Sequence, residues 1–199
     1  DSKSEDGLSP KDQLIEIRKH LLPLIDKQYK HFDESLRNEF QKNDVFILTY
    51  KELNKRQKIW VDNYFNSAIF PVLTPLGVDP AHPFPFVSSL SLNIAASIID
   101  PETQQRQFAR VKVPQKTMDR FIVLPNDLNE NYSNITTFII PIEQIVAYNL
   151  DQLFPGMQVE EHYFFRVTRD ADLELRDIEA DDLMSALEQG LRKRRIGGE

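Results

Sequence analysis

Phe70-Pro71-Val72-Leu73-Thr74-Pro75-Leu76-Gly77-Val78-Asp79-Pro80-Ala81-His82-Pro83-Phe84-Pro85-Phe86 holds five prolines in 17 residues, with apolar side chains filling the gaps. Each proline fixes its own φ, removes a backbone donor and pushes the residue before it toward extended geometry, so the run cannot be helix or central strand. A disordered proline linker would be polar, and this one is not. The expectation is a stiff connector packed on a core, with Phe84 and Phe86 as anchors and Asp79 and His82 as locks on its backbone. Helical patterns lie before it and alternating strand patterns after it, which divides the chain at 1–69 and 70–199.

Upstream, Ser9-Pro10-Lys11-Asp12 places a capping hydroxyl, a proline suited to the first helical position and an acid at the third. Leu14, Ile17, Leu21, Ile25, Tyr29, Phe32, Leu36 and Phe40 then recur at three- and four-residue steps, the stripe of one long helix that Pro23 should kink rather than end. Asn43 and Asp44 stop the pattern. The run Val45-Phe46-Ile47-Leu48 is expected to pack across to a second helix. That helix starts near Asn54, with Gln57 as capping-box partner, and should bury Ile59, Trp60, Tyr64 and Phe65. Two helices of such unequal length make an incomplete bundle, because neither stripe can be wholly covered by the other.

Downstream, Leu90, Leu92, Ile94, Ala96 and Ile98 alternate with polar or small residues, the period of a strand. Asp100-Pro101-Glu102-Thr103 supplies a turn, and Ala109, Val111 and Val113 then alternate with Phe108, Arg110 and Lys112. Further strands are predicted at 121–124, 137–140 and 157–168, and helices at 141–154 and 177–195. Strands in runs with irregularly placed helices argue for an α+β fold with a mixed sheet, preceded by a partial helical bundle.

The 199 residues carry 41% apolar content, no cysteine and a net charge of −7. No apolar stretch approaches the roughly 18 residues of a membrane span, and nothing at the start resembles a secretory signal. The absence of thiols fits a reducing compartment. An acidic chain argues against a general nucleic-acid binder, which needs a basic face. The basic groups are local: Lys51, Lys55, Arg56 and Lys58; Arg110 and Lys112; Arg166 and Arg169; Arg192 to Arg195. Lacking an initial Met and a convincing domain edge, the sequence reads as part of a longer protein.

The words FPVLTPLGVDPAHPFPF, SLSLNIA, FARVKVP, LFPGM and FRVTRDADLEL, in this order and at these spacings, resemble the amino-terminal half of bacterial polyphosphate kinase. The resemblance runs from about Leu8 to Arg195 and departs at Ser89, where the family word carries asparagine. It implies that 1–69 is the end of the helical amino-terminal domain and 70–199 the middle, or head, domain, truncated at its carboxyl end. It further implies a parent enzyme that reversibly transfers the γ-phosphate of ATP to polyphosphate through a phosphohistidine, with Mg²⁺. Its partners would be the catalytic domains of the same chain, inorganic polyphosphate and further copies in a homo-oligomer. The expected location is the cytoplasm, up to peripheral contact with the inner membrane surface.

A phosphohistidine needs an imidazole nitrogen free to attack phosphorus. His20 and His31 lie beside charged residues on the long helix, His82 sits between Ala81 and Pro83 as a backbone lock, and His162 reads as a sheet-surface residue. None matches the family's phosphoacceptor motif, so no catalytic residue is assigned. The carboxylates from Asp170 to Asp182 have no ligand spacing, no metal-binding motif is present, and no ATP or Mg²⁺ is expected on this part. Arg166 and Arg169 either pair with neighbouring aspartates or contact phosphate from other domains. Arg110 and Lys112 mark either a solvated sheet face or an interface. These four are the candidate polyphosphate or interface contacts. The part is read as a non-catalytic scaffold for domain and oligomer contacts; the alternative is a stand-alone interaction module without kinase activity.

Overall fold

The computed structural model describes residues 7–78, 87–115, 117–128 and 136–168. Asp79, His82 and Arg169, and the helix expected over 177–195, lie outside them. By spatial contact the chain forms two units, Asp1–Leu48 with Val123–Ile139, and Thr49–Ile122 with Ile140–Glu199. The architecture is α+β, with helices and two separate sheets.

In the first unit, α1 (Pro10–His31) opens as its sequence dictates: Ser9 Oγ accepts from the Asp12 N–H, and Pro10 fills the first position, where its missing donor is harmless. The helix continues through Pro23, widens into a π-helical turn at Phe32–Leu36 and resumes as α2 (Arg37–Lys42). Its apolar stripe is open, with Leu14 68%, Ile17 59% and Tyr29 67% exposed. Val45–Ile47, expected only as an apolar run, is a strand. It forms β1, parallel to β6 (Thr137–Pro141), with Val45 opposite Thr137 and Ile47 opposite Ile139. Two β-branched residues around an aromatic suit a pleated ladder, and Phe46 stacks on Phe138 at 5.1 Å. With β5 (Phe121–Val123) the order is β1-β6-β5.

In the second unit, α3 (Lys55–Tyr64) carries both halves of the capping box: Asn54 Oδ1 accepts from the Gln57 N–H, and Gln57 Oε1 accepts from the Asn54 N–H, each at 2.8 Å. Its buried stripe is Gln57, Val61, Phe65 and Ile69. Ile59, expected inside, is 64% exposed, because a residue two positions on stands about 200° around the helix from Gln57. The turn Phe65–Ile69 is again π-helical.

The larger sheet has the order β2-β4-β3-β7, antiparallel throughout, from Pro75–Val78, Arg106–Lys112, Asn93–Ile99 and Gln158–Phe165. Part of the proline ribbon is thus a strand. It is an edge strand beginning on Pro75, the position where a missing donor is tolerated. Ile94 stands opposite Val111 and Ala96 opposite Ala109, all buried, as the alternation predicts. The strand begins only at Asn93, however: Leu90 has φ 59°, is 60% exposed and belongs to the preceding turn. In the hairpin turn, Asp100 Oδ1 accepts from the N–H of Glu102 at 2.8 Å and of Thr103 at 3.2 Å.

The helix predicted over 141–154 is two, α4 (Ile142–Tyr148) and α5 (Leu150–Leu153). The inward residues are as expected: Ile142, Ile145, Val146, Leu150 and Leu153 are buried. Asn149 interrupts them, its Nδ2 donating to the Ile145 carbonyl while its Oδ1 accepts from Gln152, the local competition for backbone partners typical of asparagine. α4 lies against the turn Tyr50–Glu52 and the turn Phe65–Ile69, and α5 against β7. Arg120 fastens α4 by donating from Nη2 and Nε to Glu143 Oε1, at 2.6 and 3.0 Å. Glu143 Oε2 is buried with no partner among the described residues.

Three outcomes follow. Asn54→Ala removes the reciprocal cap and should lower stability by about 1 kcal/mol, read as a fall in the urea midpoint at constant slope, while Asn54→Gly loses less. Arg120→Ala leaves a buried carboxylate unpaired and should destabilise by about 1–3 kcal/mol in the same assay; adding Glu143→Leu should restore most of the loss. The two backbone donors lower the Asp100 pKa from 3.8. Its contribution to stability is therefore complete above the unfolded value and lost as pH falls through the lowered one, and carboxyl NMR should place its midpoint under 3.8.

Candidate functional site

Arg110 and Lys112 are alternate residues of β4 and so point to one face. Across the ladders, Leu76 and Ala95 stand opposite Arg110, and Asn93 opposite Lys112. Because β4 is an inner strand, its centre is covered on both sides. Arg110 is only 7% exposed, whereas Lys112, at the end of the strand, reaches solvent. The solvated-face reading therefore fails for Arg110 and holds for Lys112. Burial lowers the Arg110 pKa, yet a guanidinium keeps its charge in a protein.

These two cations line a cleft of about 500 Å³ between the start of β2, the turn that enters β3 and the segment that leaves β4. The hydroxyls of Ser88, Ser89 and Ser91 border it, and Lys112 Nζ lies 3.5 Å from Ser88 Oγ. Val72, Leu76, Leu90 and Val113 supply apolar wall. No acidic residue is among the described residues that line it. A cleft with two cations, several hydroxyls and no carboxylate favours an anion.

The turn Ser88–Ser91 closes through the Ser91 N–H to the Ser88 carbonyl at 3.2 Å and Ser91 Oγ to the same oxygen at 2.7 Å. Its third position, where a positive φ usually calls for glycine, is Leu90 at φ 59°. Holding a leucine there costs on the order of 1–2 kcal/mol. Both of its backbone groups are fastened: the N–H donates to the Val167 carbonyl at 2.8 Å, and the carbonyl accepts from Arg166 Nη1. Arg166 thus latches the rim of the cleft that Arg110 and Lys112 line. The structure gathers these three of the four candidate cations around one turn.

The described histidines are not among the residues that line the cleft. His20 and His31 are exposed on α1, with His20 Nε2 3.5 Å from Glu16, and His162 is exposed on β7, edge-on to Phe164. Among the described residues no group of three or more histidines, cysteines or acids is placed to hold a metal ion. Sequence reasoning missed the serine turn and the burial of Arg110. Three serines within four residues ahead of a strand were the available signal for the first.

The organisation of this unit is shared with known proteins. Residues 56–199 match the family model described as the polyphosphate kinase middle domain. A polyphosphate kinase of Prochlorococcus marinus is 62% identical over 196 residues, which are 98% of this chain and 28% of that protein. One from Thermosynechococcus vestitus is 48% identical over 192 residues, 96% of this chain and 26% of its own length. The crystal structure of polyphosphate kinase from Porphyromonas gingivalis superposes with a TM-score of 0.72 at 22% identity, covering 93% of this chain and 30% of that one, a likeness of fold. The chain thus spans little more than a quarter of the length of these two relatives. A family model matched along most of the chain, on a fold whose α+β elements agree with it, leads to one conclusion: the chain belongs to the polyphosphate kinase family.

Proposed function

We propose that this chain is the non-catalytic portion of a polyphosphate kinase, serving as scaffold, domain interface and oligomer contact for a parent that moves the γ-phosphate of ATP reversibly onto polyphosphate through a phosphohistidine. What supports this reading is the family match over 56–199, to a model described as the middle domain of polyphosphate kinase, on a chain that spans 28% of the length of its Prochlorococcus marinus relative. ATP and Mg²⁺ belong to the parent's other domains, which are the partners of this one, and the cytoplasm is its place of work. No helix among the described residues is long and apolar enough to cross a membrane. Arg110, Lys112, Arg166 and Arg169 supply contacts to phosphate groups, or to the domains that carry them. Asp79 and His82 hold the proline ribbon in shape.

A stand-alone interaction module is the competing reading, favoured by the open apolar stripe of α1. Immunoblotting of the native protein separates the two: the kinase reading expects a polypeptide several-fold longer than this chain, and a band at the chain's own mass would sink it. Incubated with radiolabelled ATP, Mg²⁺ and polyphosphate, the isolated chain should transfer no label. In the parent enzyme, Lys112→Ala should weaken polyphosphate affinity roughly 3- to 10-fold, the loss of one charge-assisted bond, with the KM for ATP unchanged.

A further inference from the structure

We propose that the cleft between β2, β4 and the Ser88–Ser91 turn binds an organic phosphomonoester, its phosphate on Arg110 and Lys112 and its carbon body against Val72, Leu76 and Leu90. This rests on the reading that these cations contact phosphate, and adds the class of ligand. The charged half of the cleft suits one phosphate dianion. Arg110 is fixed by burial in the wall of an inner strand, Lys112 is exposed and can close from the solvent side, and the Ser88 hydroxyl, which faces Lys112 as an acceptor, can donate to a remaining oxygen. No lining acid among the described residues opposes it.

The other half argues against a purely inorganic occupant. Val72 is 48% and Leu90 60% exposed on the walls of the same cleft. An inorganic phosphate chain can set one phosphate on the two cations, but the rest of it is charged as well, so pressing it onto these side chains would strip water from its oxygens and return nothing. A carbon body would instead remove both from water. Leu90 does not reach this position by default. Its backbone is held at a φ that leucine disfavours, with its N–H bonded to Val167 and its carbonyl to Arg166. A leucine fixed, exposed and set beside two cations is placed to touch something apolar. The volume of about 500 Å³ is several times that of a phosphate ion and within the range of small-molecule pockets.

The test is titration of the 199-residue chain, at constant ionic strength, with phenyl phosphate, inorganic phosphate and tripolyphosphate, followed by amide and arginine Nε–H NMR. Phenyl phosphate should bind at least about tenfold more tightly than inorganic phosphate, moving the signals of Ser88 to Ser91 and Arg110. Lys112→Ala should weaken binding of both compounds about tenfold. Leu90→Asn keeps a residue that tolerates positive φ and should abolish the phenyl advantage while sparing inorganic phosphate. Both side chains are exposed, so folding of these variants is not at stake, as it would be for Arg110. Tripolyphosphate binding that depends on Lys112, without any preference for the phenyl compound, overturns this inference and leaves the phosphate reading standing. Failure of all three compounds to bind overturns both, and shifts confined to other surfaces overturn the cleft as the site.

Discussion

Strand β4 is hydrogen-bonded on both sides, to β2 and to β3, and the arrangement of the second unit depends on that double pairing. An inner strand cannot shift by one residue without exchanging its two faces, so the register with Ile94 opposite Val111 and Ala96 opposite Ala109 fixes which side is apolar. The same register forces Arg110 and Lys112 onto the opposite side. Neither cation was positioned by a local device; both follow from the alternation that buries their neighbours. The outer strands then differ. β2 begins on a proline, whereas β7 carries a bulge opposite Ser97 and Ile98, near which Glu160 meets both Ser97 and Arg106.

Local chemistry was what the sequence made readable. The caps at Ser9 and Asn54, the Asp100 turn and the inward face of 142–153 each depend on residues within a few positions of one another, and each is present in the structure. That the apolar run at 45–47 is a strand was not legible, because its partner lies some ninety residues on, and a three-residue strand has no period long enough to declare itself. Ile59 was misplaced for a different reason: the buried stripe runs through Gln57, a polar residue that does not announce a core face, and Ile59 stands about 200° around the helix from it. Among the site residues, the pairing of Arg110 with Lys112 was legible from their spacing. Their gathering with Arg166 was not, because it passes through a backbone carbonyl 76 positions away in the chain.

Electrostatics in this molecule is kept close to where it is needed. The chain is acidic as a whole, yet the lining of the cleft is positive, and the acid with a close partner on α4 is tied to Arg120 rather than left to face an anion. A net charge of −7 repels free polyanions at long range, while a desolvated guanidinium attracts at short range, where interactions are strongest.

The widened turn at Phe65–Ile69 fixes the length of its helix to the residue. Four-residue steps in a regular α-helix advance by about 400°, so a stripe of 57, 61, 65 and 69 would drift out of the core by about 40° at each step. The wider turn absorbs that drift and returns Ile69 to full burial. Removing one residue here would restore a regular helix and swing everything beyond it by about 100°. Ile69 would leave the core, and the chain would enter the proline ribbon facing the wrong way. The number of residues in this helix is therefore under a tighter constraint than the identity of its exposed side chains.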